Sequence, residues 1–299
     1  MVGERAWRRY FGVRRTVLLV RACRGEQADP ASFYEPLAAD SVALVARHAA
    51  VCGQRVLDVG GGPGFFAAAF RAAGARYVSV DLRPVGDVCG DARALPVRDG
   101  AVDVCFSSNV LEHVADPRGM LREMLRVTRP GGLVFVCFTN WLGPLGGHET
   151  SPWHYVGGEW AARRFERRRG APPTNRYGLT LFPLSVGRVL RWVRDAEREG
   201  VAETLAVFPR YHPAWAHSVV RVPGVREFLT ANCAIALRVR SQSNPAAHAT
   251  HASFTSAARA GSLSSSFKTP ETVSASVSPG AASQPVTPSR MASRRPSTS

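Results

Sequence analysis

The sequence predicts an α/β protein built on a doubly wound, mostly parallel sheet. Two observations carry this. Between residues 55 and 138, short apolar runs alternate with helical stretches, the pattern of strand–helix units that gives a parallel sheet covered on both faces. The chemically suggestive residues also fall where the apolar runs end. In such sheets ligands sit beyond the carboxyl ends of the strands, at the topological switch point.

Residues 1–31 form a basic, irregularly apolar N-terminal segment. A helix is expected over 32–50, because Phe33, Leu37, Val42, Val45 and Ala49 fall on or near one face. Asp29-Pro30 is a plausible entry signal for it. The core pattern then runs strand 55–59, helix 64–73, strand 77–81, weak strand 85–90, strand 102–107, helix 117–127 and strand 133–138. After that the pattern loosens into a loop over 139–180, rich in glycine, proline and aromatics, and long enough to suggest a function. A helix over 184–199 and strands over 203–208 and 233–239 complete a domain spanning 32–240. From 241 to 299 serine, threonine, alanine and proline dominate. Such a composition cannot bury enough apolar surface to offset its ordering entropy, so a disordered tail is expected.

Bulk properties narrow the class. The chain has 299 residues, 45% of them hydrophobic, enough for a real core. No apolar run approaches the roughly 18 residues that span a bilayer, and the early run 16–20 is too short for a signal-peptide core. A cytoplasmic protein is expected, with peripheral membrane contact left open. None of the six cysteines forms a C-x-x-C pair, so no metal site is expected. Cys105 and Cys137 lie in strand-like runs and read as reduced core thiols. The formal net charge of +15 raises nucleic acid as a partner. Lys268 is the single lysine, however, and the arginine excess suggests a GC-rich genome. The clusters Arg163, Arg164 and Arg167, Arg168, Arg169 read as a solvated helix face.

The most informative stretch is Val56-Leu57-Asp58-Val59-Gly60-Gly61-Gly62-Pro63-Gly64. An apolar strand meets an acid and then a glycine turn, where backbone must take positive φ or let a ligand approach closely. A dinucleotide-binding turn wants G-x-G-x-x-G, and its third glycine would fall at Phe65. Asp58 would repel a pyrophosphate but stabilise the ammonium of an amino-acid-like cofactor. Asp81 ends the next strand, roughly 20 residues beyond the loop, where an acid accepts hydrogen bonds from a ribose diol. Facing an open crevice, it is expected to support little structure, whereas Asp58 should also organise the turn. Asp91, in Gly90-Asp91-Ala92, is placed to accept from an adenine amine. Ser107 and Asn109 end the fourth strand near the cofactor's amino-acid end. His113 follows them and is a candidate base, its ordinary pKa lying near neutrality.

In this order and spacing, these motifs resemble the class I S-adenosylmethionine-dependent methyltransferases, in particular the small-molecule branch with the signature seen here as Leu95-Pro96-Val97, Asp103 and Leu111-Glu112-His113-Val114. Trp141 to Glu149 and Val207 to Pro213 resemble an actinobacterial subgroup. The resemblance implies a seven-stranded Rossmann-like sheet whose last two strands form an antiparallel hairpin. It implies S-adenosyl-L-methionine as cofactor, with Gly60, Gly61, Gly62 and Gly64 around its methionine part, Asp81 and Leu82 at the ribose, and Asp91 and Ala92 at adenine. One departure is visible: the family fits a helix between the second and third strands, whereas Arg83-Pro84-Val85-Gly86 reads as a loop.

A sulfonium methyl is intrinsically electrophilic, so positioning supplies much of the catalysis, and a base is needed only for a protonated acceptor. The acceptor should lie under 139–180, which offers His148, Glu149, His154, Tyr155, Asn175 and Tyr177, with Trp141, Trp153 and Trp160 as walls; Tyr211 and His212 are further candidates. His113 and His148 are the candidate catalytic residues. A small-molecule or lipid-like acceptor is the leading reading. A nucleic-acid acceptor is favoured only by charge and lacks the Asn/Asp-Pro-Pro-aromatic motif where Ser107-Ser108-Asn109-Val110 stands. A regulatory member that binds cofactor without turnover is the third reading.

Overall fold

The computed structural model describes residues 10–25 and 30–241. The predicted tail beyond Ser241 lies outside the described residues, as does most of Asp29-Pro30's entry signal. The first two helices among the described residues are α1 (Val13–Gly25) and α2 (Pro30–Ala46). Then come β1 (Arg55–Val59), α3 (Ala67–Ala72), β2 (Arg76–Asp81), β3 (Val88–Cys89), β4 (Val102–Ser108), α4 (Pro117–Val127) and β5 (Thr128–Thr139). The remainder is α5 (Gly158–Arg169), α6 (Val186–Arg198), β6 (Ala202–Pro209), α7 (Val225–Leu229) and β7 (Asn232–Val239).

The seven strands form one sheet in the order β3-β2-β1-β4-β5-β7-β6. The first five are parallel, and β7 inserts antiparallel between β5 and β6. The chain moves outward from β1 to β2 and β3, and from β4 to β5 on the other side. β1 and β4 are therefore the switch point where the two windings diverge. The last two strands do pair antiparallel, but their connection is long and holds a 3-10 segment (Ala214–Arg221) and α7.

Side chains alternate between the two faces of each strand. Leu57, Val59, Cys105, Val134 and Val136 pack against Met120, Leu121, Met124 and Leu125 of α4 and Val189 and Val193 of α6. Val56, Val104, Phe106, Leu133 and Phe135 face the opposite way, onto Phe33 and Leu37 of α2 and Phe70 of α3. Phe70 and Phe106 are fully buried, each worth about 1.5–3 kcal/mol relative to exposure. Cys105, Cys137 and Cys233 are buried free thiols, and burial pushes all three above their ordinary pKa.

Three expectations are corrected. Residues 10–25 are no separate segment: Phe11 and Leu19 are buried in the second core, and Phe11 packs edge-on against Phe208 of β6. The stretch 139–180 is not a plain loop, because it carries α5 and two 3-10 turns, His148–Thr150 and Trp153–Val156. Its alanine, glutamate and arginine residues are good helix formers, and Gly170 closes the helix in the left-handed conformation (φ +73°). The helix expected from Gly64 begins instead at Ala67, after a tight turn over 62–66. Among the described residues, no helix is long and apolar enough to cross a membrane.

Candidate functional site

The glycine turn after β1 is pinned to the end of β2. Gly60 N–H donates to the Val80 carbonyl (2.7 Å), and Gly62 N–H donates to Asp81 Oδ2 (3.0 Å). Gly60 takes φ +79°, and a Cβ there would stand 2.4 Å from Val110 Cγ2, so the turn can lie against the end of β4 only with glycine. Gly62 takes φ +53° beside open space, leaving its backbone bare.

That bare backbone borders a cleft of about 720 Å³ at the β1–β4 switch point. Of the predicted residues, Gly60, Gly61, Gly62, Asp81, Leu82, Asp91, Ala92, Asn109 and His113 line it. Tyr34, Phe65, Ser108 and Val110 add to the wall, and Thr174, Asn175, Leu179, Thr180 and Phe182 close it from the far side. The part of 139–180 that reaches the cleft is thus its end, with Asn175 alone among the acceptor candidates named there. Tyr211 is buried in the second core, away from the cleft lining.

Four predicted site residues stand elsewhere. Asp58 is buried under the glycine turn, where Tyr77 O–H donates to its Oδ2 (2.5 Å) and a Cβ on Gly61 would come 3.0 Å from it. It is a scaffold acid with no face on the cleft. Ser107 is also buried, its hydroxyl donating to the Val59 carbonyl (2.8 Å) and tying β4 to β1. The strand runs one residue further than expected, so alternation brings Ser108 to the cleft instead. Gly64 lies past the bend, and His148 sits behind His113, ring centroids 5.1 Å apart.

Burial pushes the Asp58 carboxyl up to about 7, against the lowering effect of the Tyr77 hydrogen bond. An acid with a raised folded pKa holds its proton more tightly in the folded state than in the unfolded one. Its contribution to stability is greatest below the ordinary carboxyl pKa and is lost as pH rises toward 7. Asp58→Asn removes that titration and keeps an acceptor for Tyr77. The melting temperature of wild type should therefore fall relative to Asp58→Asn between pH 4 and 7, then run parallel above it. Parallel curves across the whole range would show that Asp58 is ionised throughout.

Ser108 is held from behind by a buried ionic network. Arg210, fully inaccessible at the end of β6, donates to Ser108 Oγ (2.8 Å), Ser41 Oγ (2.6 Å) and the Leu37 carbonyl (3.3 Å). Its Nε lies 3.5 Å from Asp40 Oδ2. Arg15 of α1 grips the same carboxylate through Nε and NH2, at 2.6 and 2.7 Å, and Tyr10 O–H donates to it at 2.6 Å. One buried acid thus anchors two arginines, and the wall of the cleft rests on α1 and α2.

The turn after β4 joins the cleft to the 139–180 segment. His113 Nδ1 lies 2.6 Å from the Thr180 carbonyl, and Phe182 N–H donates to the Glu112 carbonyl (2.8 Å). A carbonyl only accepts, so Nδ1 carries the proton in this contact. Asn109 holds φ +58°, and its Oδ1 accepts from Asn232 Nδ2 (2.8 Å). Asp91 is engaged by Arg93 (2.6 Å), whose guanidinium holds its carboxyl below the usual range. Burial lowers the pKa of His148, with help from the nearby His113. The arginines of α5 are mostly solvent-facing, and Arg164 stacks 3.9 Å over the Trp153 ring, so a solvated helix face accounts for them.

Residues 57–136 match a family described as a methyltransferase domain. An uncharacterized methyltransferase of Mycobacteroides abscessus is 46% identical over 251 residues, covering 76% of this chain and 95% of that protein. One of Mycolicibacterium gilvum is 48% identical over 244 residues, covering 75% and 94%. The chain belongs to the class I S-adenosylmethionine-dependent methyltransferases. A solved S-adenosylmethionine dependent methyltransferase from Mesorhizobium loti aligns over 67% of this chain and 97% of its own, at 18% identity and a TM-score of 0.46.

The cleft of this methyltransferase fits its cofactor on three counts. The bare Gly62 backbone allows close approach, and Leu82, Ala92 and Val110 offer apolar walls for a base. Asp81 uses Oδ1 for the Arg83 N–H and Oδ2 for the Gly62 N–H, both at 3.0 Å. An ionised carboxylate has about four acceptor sites, so two remain for a diol. The absence of a helix between β2 and β3 leaves this side open, with Arg93 already on Asp91.

Proposed function

We propose that this methyltransferase acts on a small-molecule or lipid-like acceptor, held between the glycine turn and the 174–182 stretch. The carrying observation is that one cleft runs from Gly60, Gly62 and Asp81 to His113, Thr180 and Phe182. Its volume lies within the range of small-ligand pockets, roughly 300–1,000 Å³. Bound S-adenosylmethionine supplies an electrophilic methyl group. Gly60, Gly61 and Gly62 hold its amino-acid part, Asp81 and Leu82 its ribose, and Ala92 and Asp91 its adenine. Val114, Leu179 and Phe182 exclude water from the acceptor end, while Thr174, Asn175 and Thr180 orient polar groups. His113, its Nδ1–H held by Thr180, offers Nε2 to an acceptor proton.

An exposed aromatic face supports a lipid-like acceptor. Trp153, Tyr155, Val156 and Trp160 are exposed together next to the arginines of α5. This face would meet a membrane surface peripherally. The test is transfer from methyl-labelled S-adenosylmethionine into a mycobacterial extract separated into small-molecule, lipid, nucleic-acid and protein fractions. Label should enter the small-molecule or lipid fraction. With the acceptor in hand, His113→Gln should lower turnover about 100-fold or more, the scale of general-base catalysis. Label confined to RNA or protein would overturn the proposal.

A further inference from the structure

Behind the cleft wall, Glu112, His113 and His148 each bring one ligand-type atom to within 4.8 Å of the others. Three features distinguish this cluster from a chance grouping. Glu112 is 1% exposed, and while its Oε1 accepts from Thr139 N–H (2.9 Å), its Oε2 is buried with no hydrogen-bond partner. An unpartnered buried carboxylate oxygen is costly unless a cation or proton donor meets it. His113 hands its Nδ1–H to the Thr180 carbonyl, the outer contact that metal-binding histidines make and that frees Nε2 for a metal. His148 takes φ +47°, a backbone conformation rarely adopted by non-glycine residues, and its ring stands edge-to-face with that of His113.

We infer that Glu112, His113 and His148 form a binding site for a divalent transition-metal ion of the zinc class. Two imidazoles and one carboxylate are the protein ligands of many catalytic zinc sites, which keep a further position open. Tetrahedral ligands with bonds of about 2.0–2.1 Å stand roughly 3.3 Å apart, so rotations that move these atoms by about 1 Å complete the shell. His113 lines the cleft, so the open position faces the acceptor end. A metal-bound Nε2 cannot also take a proton, so on the transferase reading above the ion replaces His113 as the activating group, and a hydroxyl or carboxylate oxygen of the acceptor would occupy the open position. Metal binding itself does not depend on that reading.

The untagged full chain, stripped with chelator, is titrated with zinc chloride by calorimetry and with cobalt(II) by absorption. One equivalent should bind, with a cobalt spectrum of nitrogen and oxygen ligation. Zinc should raise the melting temperature. Glu112→Gln and His148→Asn should each weaken zinc binding at least about tenfold and abolish that rise. Both should still bind S-adenosylhomocysteine, which separates loss of the metal site from loss of the cofactor cleft. His148→Asn lies on a half-buried turn and carries the test if Glu112→Gln does not fold. The inference is overturned if wild type takes up no stoichiometric metal, if a folded variant binds zinc as tightly as wild type, or if the cobalt spectrum shows thiolate ligation, which would put the ion at cysteine.

Discussion

Replacing Asp40 with asparagine is expected to destabilise the protein by about 3–5 kcal/mol, the cost of breaking a buried ion pair by removing one partner. The Arg210 side chain is wholly inaccessible and that of Arg15 is 11% exposed, and Asp40 is the carboxylate both arginines contact. Asparagine keeps an acceptor oxygen and loses the charge, leaving the buried Arg210 and the partly buried Arg15 without a carboxylate counter-charge. In a domain of this size the loss corresponds to a melting temperature roughly 6–20 °C lower, readable by circular dichroism. Arg210→Met should cost less, because Asp40 would stay paired with Arg15 and a hydrophobe would fill the space. A melting point for Asp40→Asn within 2 °C of wild type, on the order of measurement error, would mean that the network contributes nothing.

The second large effect is on cofactor affinity. On the proposed placement of the ribose, Asp81→Ala removes two charge-assisted acceptors from its diol and should weaken S-adenosylhomocysteine binding by about 1.5–3 kcal/mol, roughly 10- to 150-fold. The expectation that this change spares apo stability does not survive the structure, because Asp81 also accepts from the Gly62 and Arg83 N–H groups. Losing those contacts should cost about 1 kcal/mol. Asp81→Asn separates the roles. It retains one acceptor oxygen for the Gly62 or the Arg83 N–H and should melt nearer to wild type than Asp81→Ala does, yet still bind the nucleoside more weakly. Equal affinity in wild type and Asp81→Ala would take the ribose away from Asp81.

Much of the sheet was legible because its strands are apolar runs with sharp ends. Arg55–Val59 and Pro117–Val127 were readable to the residue, since Gly60 stops one and Asp116-Pro117 starts the other, with Asp116 capping the Gly119 N–H. The glycine turn and Asp81 were legible for the same reason: a local backbone need leaves a local signature. What stayed hidden depends on partners far along the chain. Asp58 and Asp81 both stand at or next to a strand end, and the buried contact of the first with Tyr77 joins residues on two different strands. Ser107 and Ser108 differ by one step of alternation, which a one-residue error in the strand end reverses. The Asp40–Arg210 pairing joins a residue on α2 to the one just after β6, and no spacing rule links them. α5 carried a readable signal, a run of helix formers closed by Gly170, obscured by the glycines and aromatics around it.

The most direct test of the cleft as the cofactor site is a calorimetric titration of the full chain with S-adenosylhomocysteine and, separately, with NAD. The turn geometry at Gly60 and Gly62 and the acid at Asp81 predict one equivalent of S-adenosylhomocysteine bound, affinity lost in Asp81→Ala, and no heat with NAD. Binding of NAD with none of S-adenosylhomocysteine would contradict it.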